Sequence, residues 1–233
     1  MHAVVLAGGQ GTRLAPYTAT LPKPLVPVGD KPIIEILLRR LHRGGVRTVR
    51  LAVNHLAHLI EAVVGDGSRF GLTITYEQED KPLSTVGPIA RMVDLPEHFI
   101  VANGDILTDL DVSDLYRFHL ANKAAVTIAT HQRRERSDYG VLEVDDKQRV
   151  VGFQEKPERT MLVSMGIYVF SRTVLDMVPK GSAYGFDDLM RDLLGQRQNI
   201  VSFPYDGYWL DIGRPDDYAR AQQDIKEHPE LFA

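Results

Sequence analysis

The chain has 233 residues, of which 44% are apolar and 25% charged, ordinary values for a globular protein. Lys plus Arg number 27 and Asp plus Glu 31, so the net charge is −4, which argues against a face built to coat nucleic acid or anionic lipid. The absence of cysteine excludes a disulfide framework, thiolate zinc sites and a cysteine nucleophile.

A chain of this length buries roughly 70% of the surface it exposes when unfolded, so a single domain over residues 1–233 is expected. No apolar run approaches the roughly 20 residues that span a bilayer. The start, MHAVVLAGG, has no basic segment leading a long apolar one, so no signal peptide is read and a cytoplasmic protein is expected.

The first half alternates. Residues 3–7 are a short apolar run, read as a buried strand, and a Gly-rich loop follows. Ile34, Leu37, Leu38 and Leu41 then fall at i, i+3, i+4 and i+7, an amphipathic helix stopped at Gly44-Gly45. A strand at 48–53, a helix at about 55–64, a strand at 72–76, a helix at about 85–93 and a strand at 99–102 complete the pattern. Repetition of strand and helix implies an α/β fold with a mainly parallel sheet and helices on both faces. The second half is less regular. Helices are expected at about 112–122, 172–178 and 186–195, with a last one opened by Pro215. Strands are expected at 125–130, 140–144, 150–154, 163–170 and 201–204. A nucleotide-binding half (about 1–110) and a substrate half (about 111–233) sharing one sheet are the expected organisation.

The glycines of Gly8-Gly9-Gln10-Gly11-Thr12-Arg13-Leu14 let backbone N–H groups approach an anion closely. The dinucleotide fingerprint needs a third Gly where Leu14 stands, and no P-loop Gly-Lys-Ser/Thr occurs. Pro16, Pro22, Pro24 and Pro27 are expected to hold the following loop extended over about twenty residues. Lys23 lies between prolines on a stiff backbone. Asp105, in Asn103-Gly104-Asp105, ends a parallel strand, where open α/β sheets bind ligands. Asp211 follows the only Trp. Each of these charges taken singly reads equally as a solvated residue, a cap or a turn. His55 and His58 are read as sharing a helical face in a packing or surface role.

Together these motifs resemble the sugar-1-phosphate nucleotidyltransferases. The Gly loop, Pro22-Lys23-Pro24-Leu25, Asn103-Gly104-Asp105, Tyr139-Gly140-Val141, Glu155-Lys156-Pro157 and Trp209-Leu210-Asp211-Ile212-Gly213 occur in that family's order and run from residue 6 to 213. The resemblance implies a Rossmann-like three-layer α/β/α nucleotidyltransferase fold with a mixed, mainly parallel sheet. It implies that Leu6, Ala7, Gly8, Gly9, Gly11, Thr12 and Asn103 hold the nucleotide, and that residues 79–87, including Glu79, Thr85 and Gly87, grip the base. Arg13, Lys23 and Asp105 would be catalytic, Arg13 by neutralising departing pyrophosphate. Asp105 and Asp211 would hold Mg²⁺. Gly140, Glu155, Lys156 and Asp211 would bind the sugar phosphate. The implied substrates are a nucleoside triphosphate and a sugar-1-phosphate.

The chain departs from the family at Pro82-Leu83-Ser84-Thr85-Val86-Gly87, where short members read Pro-Leu-Gly-Thr-Ala-Gly. Ser84 removes a permissive glycine and Val86 adds bulk, so the departure bears on base preference. The ending Trp209-Leu210-Asp211-Ile212-Gly213-Arg214-Pro215-Asp216-Asp217-Tyr218 looks most like guanylyltransferases acting on mannose- or heptose-1-phosphate, with uridylyl- and thymidylyltransferases close competitors. A glycosyltransferase would use Asp109-Leu110-Asp111 as a metal motif, but those acids fall at a helix start, where acids are common caps. A non-catalytic sensor would have lost cations or acids of the set. The segment 205–209 reads either as a homodimer interface or as part of the sugar pocket.

Overall fold

In the computed structural model, which describes residues 1–79 and 81–232, seven strands form the main sheet. They are β1 (His2–Leu6), β2 (Thr48–Val53), β3 (Thr73–Gln78), β4 (His98–Asn103), β5 (Val126–Arg136), β6 (Glu158–Ser171) and β7 (Ile200–Pro204). Their order across the sheet is β7-β5-β6-β4-β1-β2-β3. Only β6 is antiparallel to its neighbours, β4 and β5, so the sheet is mixed and mainly parallel. Both halves of the chain contribute strands to it.

β1 shows why the layers form. Ala3, Val4 and Val5 are all fully buried, as a central strand covered on both faces requires. Ala3 and Val5 face one core, shared with Leu37, Leu38 and Leu41 of α1 (Ile33–Arg43) and Ile60 of α2 (Ala57–Val64). Val4 faces the opposite core, with Ile89 of α3 (Gly87–Arg91) and Leu189 and Leu193 of α5 (Phe186–Gly195). Helix α4 (Val112–Asn122) joins the first core through Val112 and Leu115. The result is a Rossmann-like three-layer arrangement. A third cluster ties α6 (Pro215–Glu227) to the front of the molecule: Ala221 packs with Leu14, Val26, Leu107, Leu210 and Ile212. Among the described residues, no helix is long and apolar enough to cross a membrane.

Several expectations change. The proline-rich loop is not extended throughout. It folds into two short 3-10 turns, Thr12–Leu14 and Lys23–Leu25, each closed by backbone hydrogen bonds. The helix expected at about 85–93 is only the five residues of α3, because Met92 has already turned extended. The one expected at 172–178 is a 3-10 segment, Arg172–Met177. α2 starts at Ala57, after Leu56 adopts a left-handed conformation (φ 55°), so His55 lies outside the helix and shares no helical face with His58. Finally, β5 and β6 run well past the expected 125–130 and 163–170. Their outer halves pair from His131–Val163 to Arg136–Glu158 as a ribbon projecting from the sheet. A charged stretch such as Arg133 to Arg136 reads as a strand end only where one face is buried; here both faces are wet.

Candidate active site

The C-terminal ends of β1 and β4 lie side by side, with Leu6 opposite Asn103. The strand order reverses between them, which opens a crevice beyond the sheet. A cavity of ≈ 450 Å³ occupies that crevice. Among the sequence-predicted residues, Leu6, Gly8, Gly9, Glu79, Thr85, Asn103 and Asp105 line it. So do Pro82 and Ser84, from the segment 79–87 expected at the base, and Gln10, Asn54 and His55, which sequence reasoning did not single out as ligands. Asn54 had a usable signal: it follows a parallel strand just as Asp105 does.

Glu79 sits beside Gly8 and accepts a hydrogen bond from the Leu83 N–H at 2.8 Å. Burial raises its carboxyl pKa, while the Leu83 N–H and Arg91 pull it back. Asp80 lies outside the described residues. Ser84 has φ 65°, so the position where short family members carry glycine does demand the left-handed region here. Thr85 accepts the Phe186 N–H at 2.7 Å through its hydroxyl. Val86 points into the core at 1% exposure and adds no bulk to the cavity. Gly87 is buried, and a Cβ there would press the Ser182 carbonyl at 3.0 Å, so it serves backbone packing and does not line the cavity.

The loop from Gly8 folds back over Lys23. Gly11 has φ 64°, and a Cβ there would meet Lys23 Cβ and Thr18 Cγ2, each at 3.0 Å. Thr18 fixes the turn by donating to the Gly11 carbonyl at 2.8 Å. Ala7 is buried beneath the loop, while Thr12 is exposed.

Lys23 is 8% exposed, and its ammonium forms an ion pair with Asp105. Asp211 Oδ1 lies 4.0 Å from the same nitrogen. The two acids come from residues more than a hundred positions apart. They meet because the strand Trp209–Asp211 pairs antiparallel with Ile106–Thr108, placing Asp211 opposite Ile106. The Ile212 N–H then donates to the Asp105 carbonyl at 3.2 Å. Burial raises the Asp211 pKa, the Asp105 carboxylate adds to the rise, and Lys23 and Arg13 oppose it. Among the described residues, no group of three or more His, Asp or Glu side chains is gathered to hold a metal.

On the far side of Asp211 a second cleft of ≈ 530 Å³ opens. Arg13 and Asp211 form the wall nearest Lys23; Arg133, Arg134, Arg214 and Arg220 stand around the rest, with His131 and Trp209. Of the segment 205–209 only Trp209 lines this cleft, and its indole N–H donates to the Met165 carbonyl at 2.9 Å. Gly140, Glu155 and Lys156 line neither space. They lie on the projecting arm, where Gly140 backs onto Phe153 and Glu155, and both Glu155 and Lys156 are exposed. Asp109 and Asp111 are otherwise engaged: Asp109 accepts the Tyr205 hydroxyl, and Asp111 caps α4 through the Ser113 N–H at 2.8 Å.

The family model for nucleotidyl transferases matches residues 2–228. The chain belongs to the nucleotidyl transferase family. That membership places it in an enzyme class. It is 36% identical over 231 residues to a mannose-1-phosphate guanylyltransferase of Mycobacterium tuberculosis, covering 97% of this chain and 64% of that protein. It is 35% identical over 241 residues to a UTP–glucose-1-phosphate uridylyltransferase of a Synechocystis strain, covering 95% and 62%. The chain therefore spans a little under two thirds of the length of these relatives. Among solved structures, HddC from Yersinia pseudotuberculosis complexed with GMP-PN superposes with a TM-score of 0.76 at 27% identity, covering 96% of this chain and 99% of that one. This nucleotidyltransferase and that chain match almost end to end and share their architecture.

Proposed function

We propose that the enzyme joins a nucleoside triphosphate to a sugar-1-phosphate, giving a nucleoside-diphosphate sugar and pyrophosphate. The observation that carries this reading is the placing of Lys23, Asp105 and Asp211 at the junction of two clefts, one against the Gly loop and one lined by arginine. The nucleotide would occupy the first, held by Leu6, Ala7, Gly8, Gly9, Gly11, Thr12 and Asn103, with Glu79 and Thr85 shaping the base end and Gly87 packing the backbone behind them. The sugar phosphate would approach from the second. Gly140, Glu155 and Lys156 would join it from the arm.

A phosphate monoester has a second pKa near 6, so roughly nine-tenths of it is dianionic at pH 7. Its oxygen can attack the α-phosphorus in line without a general base. What the chain must supply is positioning and neutralisation of charge between two mutually repelling anions. Lys23 would sit at the reacting phosphates and Arg13 at the departing pyrophosphate. Asp105 and Asp211 suit Mg²⁺: two hard oxygen donors already share one ammonium, and Mg²⁺ takes one or two carboxylates with phosphate oxygens and water. When bound, the ion would neutralise charge on the triphosphate.

Guanylyl transfer to mannose- or heptose-1-phosphate is the preferred assignment, supported by the guanylyltransferase relative and by the GMP-PN complex of the structural neighbour. The uridylyltransferase relative, one percentage point behind in identity, supports uridylyl or thymidylyl transfer to a hexose-1-phosphate as the second reading. A screen of pyrophosphate release across GTP, UTP, dTTP, CTP and ATP against mannose-, heptose- and glucose-1-phosphates decides between them. Highest kcat/KM with GTP is expected; highest kcat/KM with UTP or dTTP selects the second reading.

A further inference from the structure

We propose that the sugar phosphate taken by this enzyme carries a second anionic substituent, a phosphate ester or a carboxylate, held in the second cleft by Arg133, Arg134, Arg214 and Arg220. The inference rests on the nucleotidyltransfer reading above. It concerns residues that the family motifs do not include.

The cleft is larger than the nucleotide cavity, ≈ 530 against ≈ 450 Å³, and shares Arg13 and Asp211 with the reaction centre. A sugar whose 1-phosphate reacts beside Asp211 therefore places its ring among the remaining lining residues. Beyond the reaction centre, those residues carry four guanidinium groups against two carboxylates, Glu135 and Asp217. Asp217 is already engaged, accepting the Gly213 N–H at 3.2 Å.

None of the four guanidinium groups makes a direct hydrogen bond among the described residues, and three of them have a carboxylate within 4.0 Å. Arg133 lies 3.7 Å from Glu135, Arg134 3.6 Å from Glu158 and Arg220 3.6 Å from Asp224, all beyond the 2.7–3.2 Å of a direct N–H···O bond. Arg214 has no carboxylate within 4.0 Å among the described residues. Some arginines outside the cleft do reach a carboxylate directly: Arg39 bonds Glu35 at 2.8 Å, Arg149 bonds Asp145 at 2.7 Å and Arg191 bonds Asp188 at 3.1 Å. The cleft arginines thus stand around one open cleft, more than half exposed at Arg133, Arg134 and Arg220, with their planar donor forks only loosely engaged by carboxylates at 3.6 Å or more. Three of the four guanidinium charges are partly offset by carboxylates at 3.6–3.7 Å, Arg214 by none within 4.0 Å among the described residues, and an uncharged sugar ring would add nothing to that offset. A phosphate or carboxylate would add to it, with bidentate hydrogen bonds.

The test compares each hexose-1-phosphate with two derivatives of the same sugar, the 1,6-bisphosphate and the hexuronic acid 1-phosphate, using the nucleotide that supports turnover. At least one derivative is expected to exceed its neutral parent about tenfold or more in kcat/KM, the effect of one charge-assisted hydrogen bond. The derivative that wins identifies the anion as phosphate or carboxylate. In the Arg133→Gln/Arg134→Gln variant that ratio should fall towards one; being a ratio within one variant, it is unaffected by a general loss of activity. Parents equal to or better than their derivatives, or a preference that survives in the variant, overturn the inference and leave the reaction standing. Should no compound release pyrophosphate, calorimetric titration of the same compounds separates the failures. A variant-sensitive preference for the derivatives then keeps the cleft assignment and removes the reaction, while no preference removes both.

Discussion

At the scale of single residues the proposed chemistry concentrates on Lys23. A lysine this buried needs a partner, and Asp105 is in ion-pairing contact with it. Removing either member strips one preorganised charge from the reacting phosphates. Asp105→Asn and Lys23→Ala should each lose at least about 10²-fold in kcat, measured by pyrophosphate release on variants whose folding is verified by circular dichroism. Near-normal turnover in either would remove that residue from the mechanism. Gly11 is the structural counterpart. Its left-handed backbone costs other residues roughly 1–2 kcal/mol, and a Cβ would push on Lys23 and Thr18 at 3.0 Å. Gly11→Ala should lower the Tm, whereas Gly9→Ala, which meets nothing within 4 Å, should not. Asp105 was legible in the sequence from its place at a strand end. Asn54 stands at an equivalent place and was passed over because an amide carries no charge to draw the eye. The cleft arginines at 133 and 134 were illegible for another reason: a run of charges carries no sign of what it faces until the fold is known.

Element by element, periodicity decided what could be read. α1, α4 and α5 follow apolar spacing and match their expected spans closely, because one buried stripe against the sheet leaves a clear period. The ribbon formed by β5 and β6 has no buried face in its outer half, so its sequence carries no period and its length escaped notice. α4 also carries a pH-sensitive element. His119 is fully buried, with Nδ1 at 2.8 Å from the Thr127 hydroxyl and Nε2 at 3.1 Å from His98 Nδ1. Burial, with a smaller effect of His98, lowers its pKa from 6.5 to about 4. Folding therefore favours the neutral ring. The contribution is complete above pH 6.5 and is lost as the pH falls through about 4. Thermal unfolding followed from pH 7 to pH 4 should show a steeper decline in Tm for the wild-type chain than for His119→Asn. Parallel declines would show that His119 titrates alike in the folded and unfolded states.

For the whole molecule, strand order is what makes the site. The reversal between β1 and β4 opens the cavity proposed for the nucleotide, and the short ribbon from Ile106–Thr108 to Trp209–Asp211 returns the chain to it from the far end of the sequence. The sequence alone pointed to a mainly parallel sheet from strand–helix alternation, and to Asp105 and Asp211 through resemblance. It could not show that a second, arginine-lined cleft adjoins them, because Arg13, Arg133 and Arg214 come from three separate segments. The central claim is that one nucleotidyl group crosses between two clefts. It is tested most directly with a nucleoside triphosphate labelled at the α-phosphorus, incubated with purified protein, Mg²⁺ and the sugar-1-phosphate that supports turnover. The account predicts that the label appears in a nucleoside-diphosphate sugar, one for one with unlabelled pyrophosphate. Label confined to free nucleotide, or sugar transfer from a preformed nucleotide sugar without pyrophosphate, would contradict it.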